Sequence, residues 1–162
     1  MRWIRAMASM VLASMAPGRT SQPLSPPSFT ARGAFFALSV ADLDASVKWY
    51  AEKLGLAVVR RVPRQDHSAV AVLEGGGLIV ELIQRDDARP LAAAAPGVTA
   101  PYLVHGLFKV GLIIDDFDKT LATLRQRGVD IAIGPFPARG DQRANVIIRD
   151  NGGNLIQIFG SR

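Results

Sequence analysis

Phe36, Leu38 and Val40 alternate with small or polar residues, a period of two that predicts a strand. Directly after it, Leu43, Val47, Tyr50, Ala51 and Leu54 recur at helical spacing, and Gly55 supplies a stop. Asp42 or Asp44 can cap the first turn of this helix, and Lys53 lies in its last turn, where the helix dipole favours a cation. Three strand-like runs follow, over residues 56–62, 68–73 and 78–83, the last two joined by Gly75, Gly76 and Gly77.

The same order then recurs. Val110, Leu112 and Ile114 alternate; Asp116 and Asp118 open a helix carrying Phe117, Leu121 and Leu124; Arg125 and Arg127 close it before Gly128. Strand-like runs occupy 129–133, 144–149 and 155–159, with Asp150-Asn151-Gly152-Gly153-Asn154 as the final turn. The runs ALSVADLD, from Ala37, and GLIIDDFD, from Gly111, align without a gap at a spacing of 74. A period this long, seen twice, indicates a duplicated module and not a solenoid. The predicted organisation is a leader and linker over 1–32 and one domain over 33–162. Within it, modules at about 34–85 and 106–160 flank an alanine- and proline-rich connection, 86–105.

Composition narrows the chemistry. Of 162 residues, 49% are hydrophobic and 20% charged, the balance of a chain that folds around one core. No cysteine is present, which excludes disulfides, thiolate metal sites and cysteine nucleophiles. The net charge of +5 rests on Arg2, Arg5, Arg19 and Arg32, because from Gly33 onward 15 basic residues face 14 acidic ones. The domain therefore carries no nucleic-acid footprint; Arg60, Arg61 and Arg64 read as a solvated strand end. Arg2 and Arg5 ahead of an apolar run to Ala16 have the form of a secretory signal. A plain extension, or a start at Met7, Met10 or Met15, fits the same residues, so localisation stays open between cytoplasm and export. No run reaches the length of a membrane-spanning helix.

The runs FFALSVADLDASVKWYAEKLGL, GGGLIVELIQ and RDNGGNLIQIF resemble the opening strand and helix, the fourth strand and the closing strand of the vicinal-oxygen-chelate superfamily, which holds glyoxalases, bleomycin-resistance proteins and extradiol dioxygenases. The resemblance spans about residues 35–160. It implies an α+β fold of two tandem βαβββ modules whose curved mixed sheets form a cup, and it implies a homodimer. It also implies a divalent-metal site at four positions that here hold Phe35, Glu81, Lys109 and Gln157, of which only Glu81 is a typical ligand.

Alternation places these residues independently. If Phe36, Leu38 and Val40 pack under the helix, Phe35, Ala37 and Ser39 face the other way. The same reasoning sends Ile79, Glu81 and Ile83, then Lys109 and Gly111, then Gln157, to the cup. A buried carboxylate costs several kcal/mol unless it is paired, so Lys109 is expected to hold Glu81 ionised in place of the metal, with Gln157 beside them. A structural ion pair without a ligand fits the same placement. An open pocket is expected to be lined by Phe35, Ile79, Glu81, Lys109, Leu155 and Gln157, with Tyr102 or Arg143 at its rim.

Three functions follow. The first is a metal-independent binder of a small molecule, similar to the bleomycin-resistance branch, with no cofactor. The second is an enzyme, either a lactoylglutathione-lyase-like isomerase or an extradiol-type dioxygenase. It would use a divalent metal, held by Glu81 with His67 or His105, or a metal-free proton transfer with Glu81 as catalytic base and Lys109 stabilising an enolate. The third is a structural module with a filled cup. A phosphate loop, a dinucleotide fingerprint and a nucleophile elbow are all absent, and Ser39 has no histidine partner in sequence for hydrolysis.

Overall fold

The structure is a computed structural model that describes residues 35–161. Strand β1 (Phe35–Ser39) leads into helix α1 (Leu43–Trp49), which widens into a π turn over Tyr50–Leu54. Strands β2 (Ala57–Gln65), β3 (Ser68–Gly75) and β4 (Leu78–Arg85) complete the first module. The connection carries a short helix α2 (Leu91–Ala94) and a 3-10 turn (Pro101–Leu103) where no element was expected. Strand β5 (Val110–Ile114), helix α3 (Phe117–Gln126), and strands β6 (Asp130–Phe136), β7 (Asn145–Arg149) and β8 (Leu155–Gly160) repeat the order.

Each module forms its own four-stranded mixed sheet, ordered β1-β4-β3-β2 and β5-β8-β7-β6. The inner pairs β1·β4 and β5·β8 are parallel and the rest antiparallel, which is the tandem βαβββ architecture. Strand β2 runs through Pro63 with two register shifts; as an outer strand it has no second neighbour to which Pro63 must donate.

The two modules keep the same local devices. Asp42 accepts from the Ala45 N–H at 2.9 Å and Asp116 from the Lys119 N–H at 3.0 Å, so of the two acids at each helix start the first is the cap. Lys53 Nζ donates to the Arg127 carbonyl and Arg127 Nη1 donates to the Lys53 carbonyl at 3.0 Å, a reciprocal pair 74 residues apart. Each cation thus sits on the carbonyl end of the other module's helix, where the dipole favours it. The Gly55 N–H reaches both the Ala51 and the Tyr50 carbonyl. Gly55 adopts φ +77, a left-handed cap that suits glycine.

The core lies between helices and sheets. Phe36, Val80, Leu82, Ala71 and Leu73 close it in the first module, and Val146, Ile148, Ile156 and Ile158 in the second. Phe36, Val80, Leu82, Ile156 and Ile158 are buried as alternation expects of residues on the helix-facing side. Of the two adjacent aromatic residues on the first helix, Tyr50 is fully buried and Trp49 half-buried, their rings meeting edge-on at 4.9 Å. Among the described residues no helix is long and apolar enough to cross a membrane, and the residues of the leader lie outside them.

Candidate functional site

On the face opposite the helices, registry fixes the neighbours of each predicted residue. Phe35 lies beside Ile79, and Ala37 beside Glu81, which in turn lies beside Val72 on β3. In the second sheet Gly111 lies beside Gln157, which lies beside Ile147. Phe35 and Glu81 are therefore two residues out of step, and Lys109 precedes β5, which begins at Val110. His105 accordingly shares no strand with Lys109 and lies exposed in the connection.

Strands β1 and β5 are the inner ends of the two strand orders, each paired on one side only. Between them opens a cleft of about 740 Å³, lined by Phe35, Ala37, Leu107, Lys109, Gly111 and Ile113, with Gly76 and Gly77 among its walls. Phe35 is 64% exposed, Ile113 67% and Leu107 79%, so most of each apolar side chain stands in solvent. Lys109 is the one charged side chain lining the cleft among the described residues, and its ammonium lies 5.3 Å from the Phe108 ring.

The expected Glu81–Lys109 ion pair is not formed. Glu81 lies on β4, one strand in from the edge of the first sheet, while Lys109 stands at the entry to β5 beside Phe108. The physical premise also differs, because Glu81 is half-buried and keeps contact with water, and so needs no paired cation. Gln157 is engaged within its own sheet, its Nε2 donating to Asn145 Oδ1 at 3.1 Å. Leu155 meets Lys109 and Phe108 at a separate cavity of about 60 Å³. Tyr102 leans edge-on against Phe108 at 5.9 Å, and Arg143 gives its carbonyl to Asn145 Nδ2 at 3.1 Å.

A divalent cation does not suit the residues present. Phe35 has no donor atom, Lys109 brings positive charge, and Gln157 offers one neutral amide oxygen, which leaves Glu81 as the one anionic donor of the four. The alternative set also fails to assemble: His67 sits on the β2–β3 turn with Nδ1 3.4 Å from Asp86 Oδ2, far along the chain and sheet from Glu81. Among the described residues no three His, Asp or Glu side chains group as metal ligands.

Sequence reasoning missed the polar network behind the sheets. The Asp150 carboxylate, 5% exposed, accepts from Tyr50 Oη at 2.9 Å, from the Gly152 N–H at 2.9 Å, from the Asn154 N–H at 2.8 Å, and from Asn154 Nδ2. Asn151 Nδ2 donates to Ser46 Oγ at 3.1 Å, so the β7–β8 turn of one module is tied to the first helix of the other. The Asp-Asn-Gly-Gly-Asn run announces a turn in sequence; nothing local announces Tyr50 as its partner.

Burial, and then the Asp150 charge and hydrogen bond, hold the Tyr50 phenol well above the usual tyrosine range. A raised folded-state pKa contributes stability that is fully present below about pH 10, where unfolded tyrosine keeps its proton, and is lost as pH rises further. Urea unfolding between pH 8 and 11 should therefore show the wild type losing about 1.4 kcal/mol more per pH unit above 10 than Tyr50→Phe. Parallel pH profiles for the two proteins would refute this.

A family model for the Glyoxalase/Bleomycin resistance protein/Dioxygenase superfamily matches residues 33–158, and the chain belongs to that superfamily. Among solved structures, it resembles a glyoxylase/bleomycin resistance protein/dioxygenase domain from Frankia sp. EAN1pec, with TM-score 0.63 and 22% identity over 83% of this chain and 94% of that one. A glyoxalase family protein from Enterococcus faecalis gives 0.63 and 17% over 77% and 94%. TnmS3, an antibiotic binding protein from Streptomyces sp. CB03234, gives 0.57 and 20% over 82% and 98%. No curated protein matches the chain in sequence.

Proposed function

We propose that this protein binds a small molecule, without a metal, in the cleft between β1 and β5. The observation that carries the reading is a single ammonium, Lys109, set among the exposed apolar side chains Phe35, Leu107 and Ile113. Its volume falls within the roughly 300–1,000 Å³ usual for ligand pockets. Apolar walls supply affinity, and a lone cation selects ligands bearing an anionic or electron-rich oxygen. The antibiotic binding protein among the structural neighbours supports binding as a use of this fold. The proton-transfer reading loses its basis, since it needs Glu81 and Lys109 to act together.

Two copies acting together belong to the same reading. Val58 and Val59 on β2, and Ile133 and Phe136 on β6, leave apolar side chains exposed on the outermost strands of the two sheets. Sedimentation of the purified protein as a single species of one-chain mass would remove this part.

The test is a thermal-shift screen of aromatic carboxylates and phenols beside amines of the same ring size. The expected result is stabilisation by the oxyanions and not by the amines, weakened about tenfold or more in affinity by Lys109→Ala or Phe35→Ala. Elemental analysis after exposure to manganese, iron, zinc and nickel runs in parallel with Glu81→Ala. Stoichiometric metal in the wild type, lost in that variant, would overturn the metal-free reading.

A further inference from the structure

On the helix side of the junction between the modules lies a second cleft, of about 420 Å³, floored by Leu54, Leu56, Leu78, Leu112 and Ile114. Lys53, Lys119 and Arg127 line it together with Thr120 and Thr123, and no carboxylate lines it among the described residues. We infer that this cleft is a binding site for an amphipathic aliphatic carboxylate; it meets the β1–β5 cleft at Gly76, Leu78, Leu112 and Ile114 but carries its own cations, Lys53, Lys119 and Arg127, in place of Lys109.

Three features argue for it. The floor combines apolar residues from both modules that are half-buried or buried, an apolar trough that a chain of methylenes would cover. Two of the three cations are positioned before any ligand arrives. The Lys53 ammonium is fixed on the Arg127 carbonyl and the Arg127 guanidinium on the Lys53 carbonyl. Each spends one donor in that exchange, out of three for the ammonium and five for the guanidinium, and the others remain for an oxyanion.

Lys119 adds to this. It stands in the first turn of α3, the positive end of that helix, and its side chain forms no ion pair among the described residues. Asp116 and Asp118 occupy the same turn, yet Asp116 is spent on the cap and neither lines the cleft. Three cations around one apolar trough favour an anionic headgroup over a neutral or cationic one.

The full chain is titrated by calorimetry with dodecanoate, and with dodecyltrimethylammonium as a cation of equal tail length, both below their micelle concentrations. Expected are binding of dodecanoate alone, an affinity about tenfold weaker in Lys119→Glu, and a comparable loss in Thr120→Trp, which fills the trough from the helix. Lys109→Ala is expected to bind dodecanoate as the wild type does. Equal binding of both surfactants, or no binding of either, would overturn the site. So would loss in Lys109→Ala with Lys119→Glu unaffected, which would place the ligand in the β1–β5 cleft instead. Circular dichroism of each variant confirms that any lost affinity belongs to a folded protein.

Discussion

Asp150→Ala is expected to lower unfolding stability by about 3–4 kcal/mol, read as a fall in melting temperature of roughly 10 °C. The carboxylate is nearly fully buried and receives the Tyr50 hydroxyl, two backbone N–H groups and the Asn154 amide. Removing it strands the fully buried Tyr50 hydroxyl, at a cost of about 1–3 kcal/mol, and takes from the part-buried turn donors of Gly152 and Asn154 the acceptor they share. Asp150→Asn keeps the shape and part of the bonding, and is expected to cost less. Chemical denaturation of both variants decides the matter: equal and small losses would show that the turn re-forms without its carboxylate.

Leu82→Ala should be comparably severe, at about 2–5 kcal/mol, because Leu82 is completely buried between the helix and the first sheet, with Leu38 and Ala71 as strand neighbours. Ile113→Ala removes a branched apolar side chain of similar size from the opposite face of the second sheet. At 67% exposure it has little packing to lose, so a stability change within about 0.5 kcal/mol is expected. Ligand affinity in the β1–β5 cleft should respond the other way, unaffected by a tolerated Leu82 substitution and reduced by Ile113→Ala. A large stability loss for Ile113→Ala would mean that the concave face is packed in solution.

The fold was legible because its signals are periodic and local. Alternation told Phe36 from Phe35 and Val80 from Ile79, and the aspartates before each helix marked its start. The gapless 74-residue offset exposed the duplication, and the same offset reappears in the Lys53–Arg127 exchange. The site was legible only as a face. Which residues meet across two sheets depends on the relative placement of the modules, which no period encodes, and so the Glu81–Lys109 pairing failed. Ile113 offered a missed signal, being a large apolar residue out of phase with Val110, Leu112 and Ile114 on a face with no helix to cover it. The Tyr50–Asp150 bond was out of reach, since its partners stand 100 residues apart with no pattern in common.

The modules are joined from behind, through the Tyr50–Asp150 and Ser46–Asn151 bonds and the exchanged helix ends, while the cleft-facing residues Phe35, Gly111 and Ile113 bear almost none of the packing. Drift at those positions is therefore nearly free of folding penalty. Such a scaffold can exchange one ligand for another by single mutations, each intermediate remaining folded, so the chemistry of the opening can evolve faster than the frame that carries it.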